Sequence, residues 1–170
     1  MLTSSFKEQG FFMSLKICIM APDRVFWNAE ADEIILPTNT GQMGILPNHT
    51  PLITGLDIGV MLVKEKTSGQ QKASEWTSMA LMGGFALIKG SEESTRSTTN
   101  STGSKSSTTV TILVNDAEFA ATIDRVQAEQ NFQEAQLAFE KADGRKEKIE
   151  TSLAYKRARA RFQVVASGRP

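Results

Sequence analysis

Residues 41–57, Gly-Gln-Met-Gly-Ile-Leu-Pro-Asn-His-Thr-Pro-Leu-Ile-Thr-Gly-Leu-Asp, constrain the fold more than any other stretch. Gly41, Gly44 and Gly55 alternate with Pro47 and Pro51 between apolar runs, and the chain's one histidine, His49, lies between the prolines. Glycine permits positive φ and close backbone approach, whereas proline fixes φ and cannot donate to a sheet ladder. Such a stretch must be tight turns and short strands, the corner of a β domain.

The flanking sequence agrees. Leu15 to Met20 reads as a strand, and Ala21-Pro22-Asp23-Arg24 as a turn. Val25-Phe26-Trp27 and Ala31 to Leu36 read as two short β runs, separated by Asn28-Ala29-Glu30. Residues 58–64, 76–81, 85–88 and 110–114 supply further strands, with Gly83-Gly84 as a tight turn between two of them. Many short strands spaced by turns predict an all-β sandwich or barrel. Two polar segments interrupt it. Residues 65–75 read as a long hairpin loop. Residues 90–109 are rich in Ser and Thr and carry no large apolar side chain, so they read as a disordered loop joining two strands.

The period changes after Asp116. Asp124 suits a helix N-cap, and Gln127 three residues on completes a capping box. Ala128, Phe132, Ala135, Phe139 and Ala142 then form one apolar seam over about five helical turns. Asp143-Gly144 ends that helix, with Gly as a left-handed cap. A second helix runs from about Arg145 to Val165, with Ile149 and Leu153 as one pair and Ala154, Ala158, Phe162 and Val165 as a stripe. The short joint predicts an antiparallel hairpin. The hairpin either rests on the β domain or, because a seam of small residues buries little area, is marginal and able to detach. The organisation is thus an extension over 1–13, a β-sandwich over 14–120 and a helical hairpin over 121–170.

Charge and chemistry narrow the function. Lys plus Arg and Asp plus Glu are both 19, so a strongly basic nucleic-acid binder is not indicated. The balance is local, however: from Thr151 onward there are five cations and no acid, four of them in Lys156-Arg157-Ala158-Arg159-Ala160-Arg161. On a helix 157 and 161 share a face, and 156 and 159 a neighbouring one; the run is either a solvated face or a site for an acidic partner protein. The single cysteine, Cys18, excludes an internal disulfide and any metal site of several thiolates, and its apolar strand predicts a buried thiol. No apolar run approaches the roughly 20 residues of a spanning helix, and residues 1–12 do not read as a secretory signal, so the chain reads as soluble. His49 has no second histidine or nearby cysteine to work with, and no Gly-x-Ser-x-Gly elbow occurs. It reads as a structural or contact residue. These residues alone fit either a small β-sandwich adaptor with a helical tail or an enzyme built on His49, and favour the first.

Four motifs in order add a resemblance. Residues 41–49, Ala80-Leu81-Met82-Gly83-Gly84-Phe85-Ala86, Leu113-Val114-Asn115-Asp116-Ala117-Glu118, and 148–159 resemble the ε subunits of F-type ATP synthases, most closely the plastid and cyanobacterial form. The resemblance spans residues 13–165. It implies an all-β sandwich of about ten strands in two sheets followed by an antiparallel helical hairpin, and a non-catalytic central-stalk subunit without a cofactor, joined to the γ subunit, the c-ring and the α/β catalytic head. Asn39, Thr40, Gln42 and Met43 would face the c-ring and His49 would lie toward γ. Lys156, Arg157, Arg159 and Arg161 would approach acidic residues of the catalytic β subunits, through which the hairpin restrains ATP hydrolysis. The implied location is the chloroplast thylakoid membrane, peripheral on its stromal side, or the cytoplasmic side of a cyanobacterial thylakoid.

Three features depart from that family. The loops 65–75 and 90–109 are longer, and the extension before Met13 has no counterpart. Some bacterial members bind ATP through Ile/Leu-Asp-x-x-Arg-Ala at a helix start. Ile123-Asp124-Arg125-Val126-Gln127-Ala128 has Gln where that arginine stands.

Overall fold

A computed structural model describes residues 14–66, 76–90 and 107–167. The described residues form seven strands, a short 3-10 turn and two helices. The strands are β1 (Ser14–Ala21), β2 (Arg24–Thr38), β3 (Gly41–Ile45), β4 (Leu52–Glu65), β5 (Trp76–Lys89), β6 (Ser107–Val114) and β7 (Ala117–Phe119). The helices are α1 (Arg125–Lys141) and α2 (Arg145–Ala166).

Three long strands explain the expected count. β2 pairs with β1 through its first half and with β3 and β4 through its second, with register shifts between. β4 and β5 run antiparallel along most of their length, and β5 passes from β7 at Met79–Leu81 to β6 at Gly84–Lys89. Counting the halves of β2, β4 and β5 separately turns seven strands into ten segments, the number that the family resemblance implies. The run Asn28-Ala29-Glu30 does not break β2, because it pairs with Ile17, Cys18 and Lys16 of β1. Since β1 also pairs with β6 in parallel, the ring β1-β6-β5-β4-β2 closes on itself. The result is a flattened sandwich with few free edges.

Alternation sets the core. Leu15, Ile17 and Ile19 of β1 face inward with Ile34, Leu36, Met61, Val63, Ile88, Val110 and Ile112. Period-two geometry turns Lys16 and Cys18 the other way, so Cys18 is half-exposed and not the buried thiol expected. In β5 the alternation disappears. Ser78, Met79, Ala80, Leu81 and Met82 are all buried. Met79 and Leu81 enter the sandwich core, while Ala80 and Met82 face Ala160 and Val164 of α2. Ile58, Val60, Ala120 and Ile123 complete this second, smaller cluster.

Gly83 and Gly84 are not a turn between strands. Both have positive φ, 78° and 152°, inside an unbroken β5. A Cβ on Gly84 would lie 2.0 Å from the Leu113 carbonyl oxygen, so the ladder to β6 passes here only over a residue without a side chain. The loops read over 65–75 and 90–109 lie largely outside the described residues, although Ser107 to Thr109 already belong to β6.

The hairpin holds together by stacked aromatics. Phe132 stacks on Phe162 at 5.1 Å and meets Tyr155 at 5.6 Å, and Tyr155 stacks on Phe139 at 5.7 Å. Such pairs contribute about 0.5–1.5 kcal/mol beyond their buried area. The Asp124 carboxylate accepts from the Gln127 backbone N–H at 2.8 Å. The Gln127 side chain donates onward to Asn131 at 2.9 Å, so only half of the capping box forms. Gly144, with φ 87° and ψ 153°, stands at the start of α2 and is not a left-handed cap of α1, whose C-cap is Ala142.

Gly84→Ala should therefore destabilise the β domain by about 1–3 kcal/mol, the usual cost of forced backbone strain. Thermal unfolding of the variant checks this; an unchanged midpoint would mean that β6 can yield at Leu113.

Candidate functional site

The corner residues fall into separate places. Asn39 and Thr40 form an exposed turn between β2 and β3. Buried Thr38 fixes it: its hydroxyl donates to the Gly41 carbonyl at 2.7 Å and accepts from the Thr40 N–H at 3.4 Å. Gln42 is exposed beside them, whereas Met43 packs its side chain against the sandwich core. His49 lies beyond the opposite end of β3. Its N–H donates to the Leu46 carbonyl at 3.1 Å, and Nδ1 is 2.8 Å from the Thr50 carbonyl oxygen. Asn48, the one described non-glycine residue with positive φ, ties the turn to β6 by donating to the Thr108 hydroxyl at 2.8 Å. His49 is thus a half-buried turn residue, and its neighbour Leu46 is exposed.

The four cations of α2 divide into two pairs, though not as helical spacing alone suggested. Lys156 donates from Nζ to both carboxylate oxygens of Asp57, at 2.8 and 3.0 Å. Arg161 donates from Nε to both oxygens of Glu118, at 2.9 and 3.0 Å, with a further bond from its terminal nitrogen. These two pairs flank the Ala160–Val164 contact and pin α2 to β4 and β7. Arg157 and Arg159 are exposed and form no ion pair among the described residues. The sequence signal for this division was Lys156, Ala160 and Val164 at successive i,i+4 positions. It competes with the Ala154–Ala158–Phe162 stripe, which faces α1 through Ala158 and Phe162.

The Lys156 hydrogen bond, helped by the Ile58 N–H, holds the Asp57 carboxyl below its ordinary value of 3.8 against the opposing effect of burial. Glu118 raises the Arg161 guanidinium above its ordinary value, again against burial. All four side chains keep between about a quarter and two-fifths of their exposure, so each pair contributes only about 0.2–1 kcal/mol and is screened by salt.

The docked hairpin brings corner and cations together. Asn39, Gly55, Asp57, Phe85, Leu153 and Arg157 are among the residues around a cleft of about 530 Å³. Gln42 shares a smaller one, about 290 Å³, with Lys156, Arg159 and Gln163. Met43 and His49 line neither. Among the described residues no three His, Cys, Asp or Glu side chains converge as a metal site, and no helix is long and apolar enough to cross a membrane. What the arrangement offers is shape and charge to another protein.

Comparison with known proteins gives a consistent result. Residues 14–94 match the family model described as ATP synthase, Delta/Epsilon chain, beta-sandwich domain. Residues 122–166 match its long alpha-helix domain. The ATP synthase epsilon chain, chloroplastic, of Tupiella akineta is 53% identical over 91% of this chain and 100% of that protein. Its counterpart in Chlorella vulgaris is 52% identical over 90% of this chain and 96% of that protein. Among solved structures, a chain of the Euglena gracilis mitochondrial ATP synthase superposes with a TM-score of 0.63 at 19% identity, covering 96% of this chain and 86% of that one, which is a likeness of fold.

Asp57→Asn with Glu118→Gln should loosen the hairpin at neutral pH, by up to about 1 kcal/mol per pair. A distance probe between β4 and α2 reads this, and added salt should reproduce part of it in the unaltered chain. The Asp57 contribution is present above the unfolded value near 3.8 and is lost as pH falls through the lower folded value. Docking should therefore stay flat between pH 5 and 8. Loosening within that range would point to a different titrating group.

Proposed function

Since the chain belongs to the delta/epsilon family of ATP synthase subunits, we propose that it is the ε subunit of a chloroplast rotary synthase, coupling the γ subunit to the c-ring and restraining ATP hydrolysis through its hairpin. It is a non-catalytic member of that complex. The relatives' chloroplastic names support a chloroplast location, and we assign it to the stromal face of the thylakoid membrane, held there through the complex.

One observation carries the inhibitory reading: of the four cations Lys156, Arg157, Arg159 and Arg161 on the docked hairpin, two are paired with the β domain and two are turned outward. Arg157 and Arg159 are available to an acidic surface of the catalytic β subunits while the hairpin is docked. Lys156 and Arg161 reach such a surface only after leaving Asp57 and Glu118. Release then exchanges one set of carboxylates for another, and its net electrostatic cost is small. The exposed turn Asn39-Thr40 with Gln42 suits contact with the c-ring. Met43, buried on one side, acts as the anchor of that turn. The γ contact at His49 is supported by the exposed apolar side chains close to it in the chain, Leu46 and Ile53.

Two sets of substitutions should move inhibition in opposite directions. Added to a catalytic complex depleted of ε, the full chain should slow ATP hydrolysis. Arg157→Ala with Arg159→Ala should weaken that inhibition, most clearly at low salt. Asp57→Asn with Glu118→Gln should strengthen it severalfold by freeing the hairpin. Equal inhibition by all three proteins would remove the hairpin from the mechanism.

A further inference from the structure

The outer face of the sandwich carries an apolar patch that the core does not use. By register, Gly55 of β4 pairs with Phe85 of β5, and Phe85 pairs with Leu113 of β6. Ile53 lies two residues from Gly55 and so on the same face. Ile53, Phe85 and Leu113 are 71%, 62% and 50% exposed, while Leu52, Ala86 and Ile112 beside them pack inward. A contiguous exposed apolar patch of this kind marks an interaction surface.

The patch does not stop at the sheet. Phe85 and Leu113 form one wall of the 530 Å³ cleft, and Leu153 and Arg157 of α2 form the other. Leu153 is itself exposed and leads on to exposed Ile149 and Phe139 along a second groove. The charged groups lining the cleft are Asp57, already matched by Lys156, and Arg157, which has no carboxylate partner among the described residues.

We infer that the β domain and the docked hairpin together form one docking surface, for an apolar segment of a partner chain that carries a carboxylate toward Arg157. Charge complementarity selects that occupant: with Asp57 neutralised, the cleft offers apolar walls and one unmatched guanidinium. The inference rests on the proposed stalk assignment, which makes γ the partner, and adds that γ grips the hairpin as well as the sheet. The second wall exists only while α2 is docked. By reciprocity, a partner in the cleft must then favour docking by the same factor that docking favours the partner. Arg157 would thereby serve γ with the hairpin down and the catalytic head with it raised.

The test measures affinity of the full chain for the ε-depleted catalytic complex, which retains γ. Leu153→Ala with Arg157→Ala, both on the hairpin, should weaken binding about tenfold, and Phe85→Ala should do the same. The three changes together should cost less than the sum of the separate losses. Arg157→Lys should restore much of the affinity, which loss of helix packing would not. All replaced side chains are exposed or line the open cleft, and far-ultraviolet circular dichroism checks that folding is kept. Hairpin substitutions within twofold of the unaltered chain, with Phe85→Ala still weakening binding, would overturn the shared surface and leave the sheet alone as the site. Self-association abolished by Phe85→Ala, with affinity for the complex unchanged, would overturn it in favour of a second copy as occupant. Failure of the unaltered chain to bind the complex would instead remove the stalk assignment on which the inference rests.

Discussion

Strand β5 has no face open to water from Ser78 to Met82, and much of the molecule follows from that. One side fills the sandwich with Met79 and Leu81. The other offers Ala80 and Met82 to a helix. A small residue is needed at position 80 because a helix backbone must come close, and α2 answers with Ala160. The contact is tight but small. It seats α2 on the sheet together with the two part-exposed ion pairs beside it.

The sandwich was legible because its chemistry is local. Alternation, glycine and proline punctuation and the corner at 41–57 each act over a few residues, and they lead to the segments that the sheets use. Long strands that change partner midway were not legible. Nothing in Asn28-Ala29-Glu30 says that this run continues β2 in register with β1, or that a shift beyond it, between Ala31 and Glu33, carries the strand over to β4. Gly83-Gly84 misled for a similar reason: glycine permits a turn and also permits close passage of two backbones, and only the position of Leu113 decides between them.

The hairpin was legible as a helix pair but not in its orientation. α2 has two usable stripes, one through Ala158 and Phe162 and one through Lys156, Ala160 and Val164. Both are poor in bulky residues, so periodicity could not rank them. Tyr155, which meets both Phe132 and Phe139, sides with the first. The candidate site inherited that ambiguity. Sequence singled out the four cations, but their division depended on Asp57 and Glu118, which are 99 and 43 residues away from their partners in the chain.

This division constrains how such a hairpin can be regulated. Lys156 and Arg161 cannot serve an internal carboxylate and an external one together, so any contact they make elsewhere must be bought by undocking. Arg159 carries no such restriction, and Arg157 none while the cleft beside it is empty. On the proposed inhibitory reading, the first encounter with an acidic surface would fall to these two, and the engaged pair would follow once the seat is vacated. Because Asp57 is held ionised to below its ordinary range and the guanidinium of Arg161 keeps its proton at any relevant pH, proton concentration has little grip on this balance. Ionic strength and the occupancy of the neighbouring cleft have more.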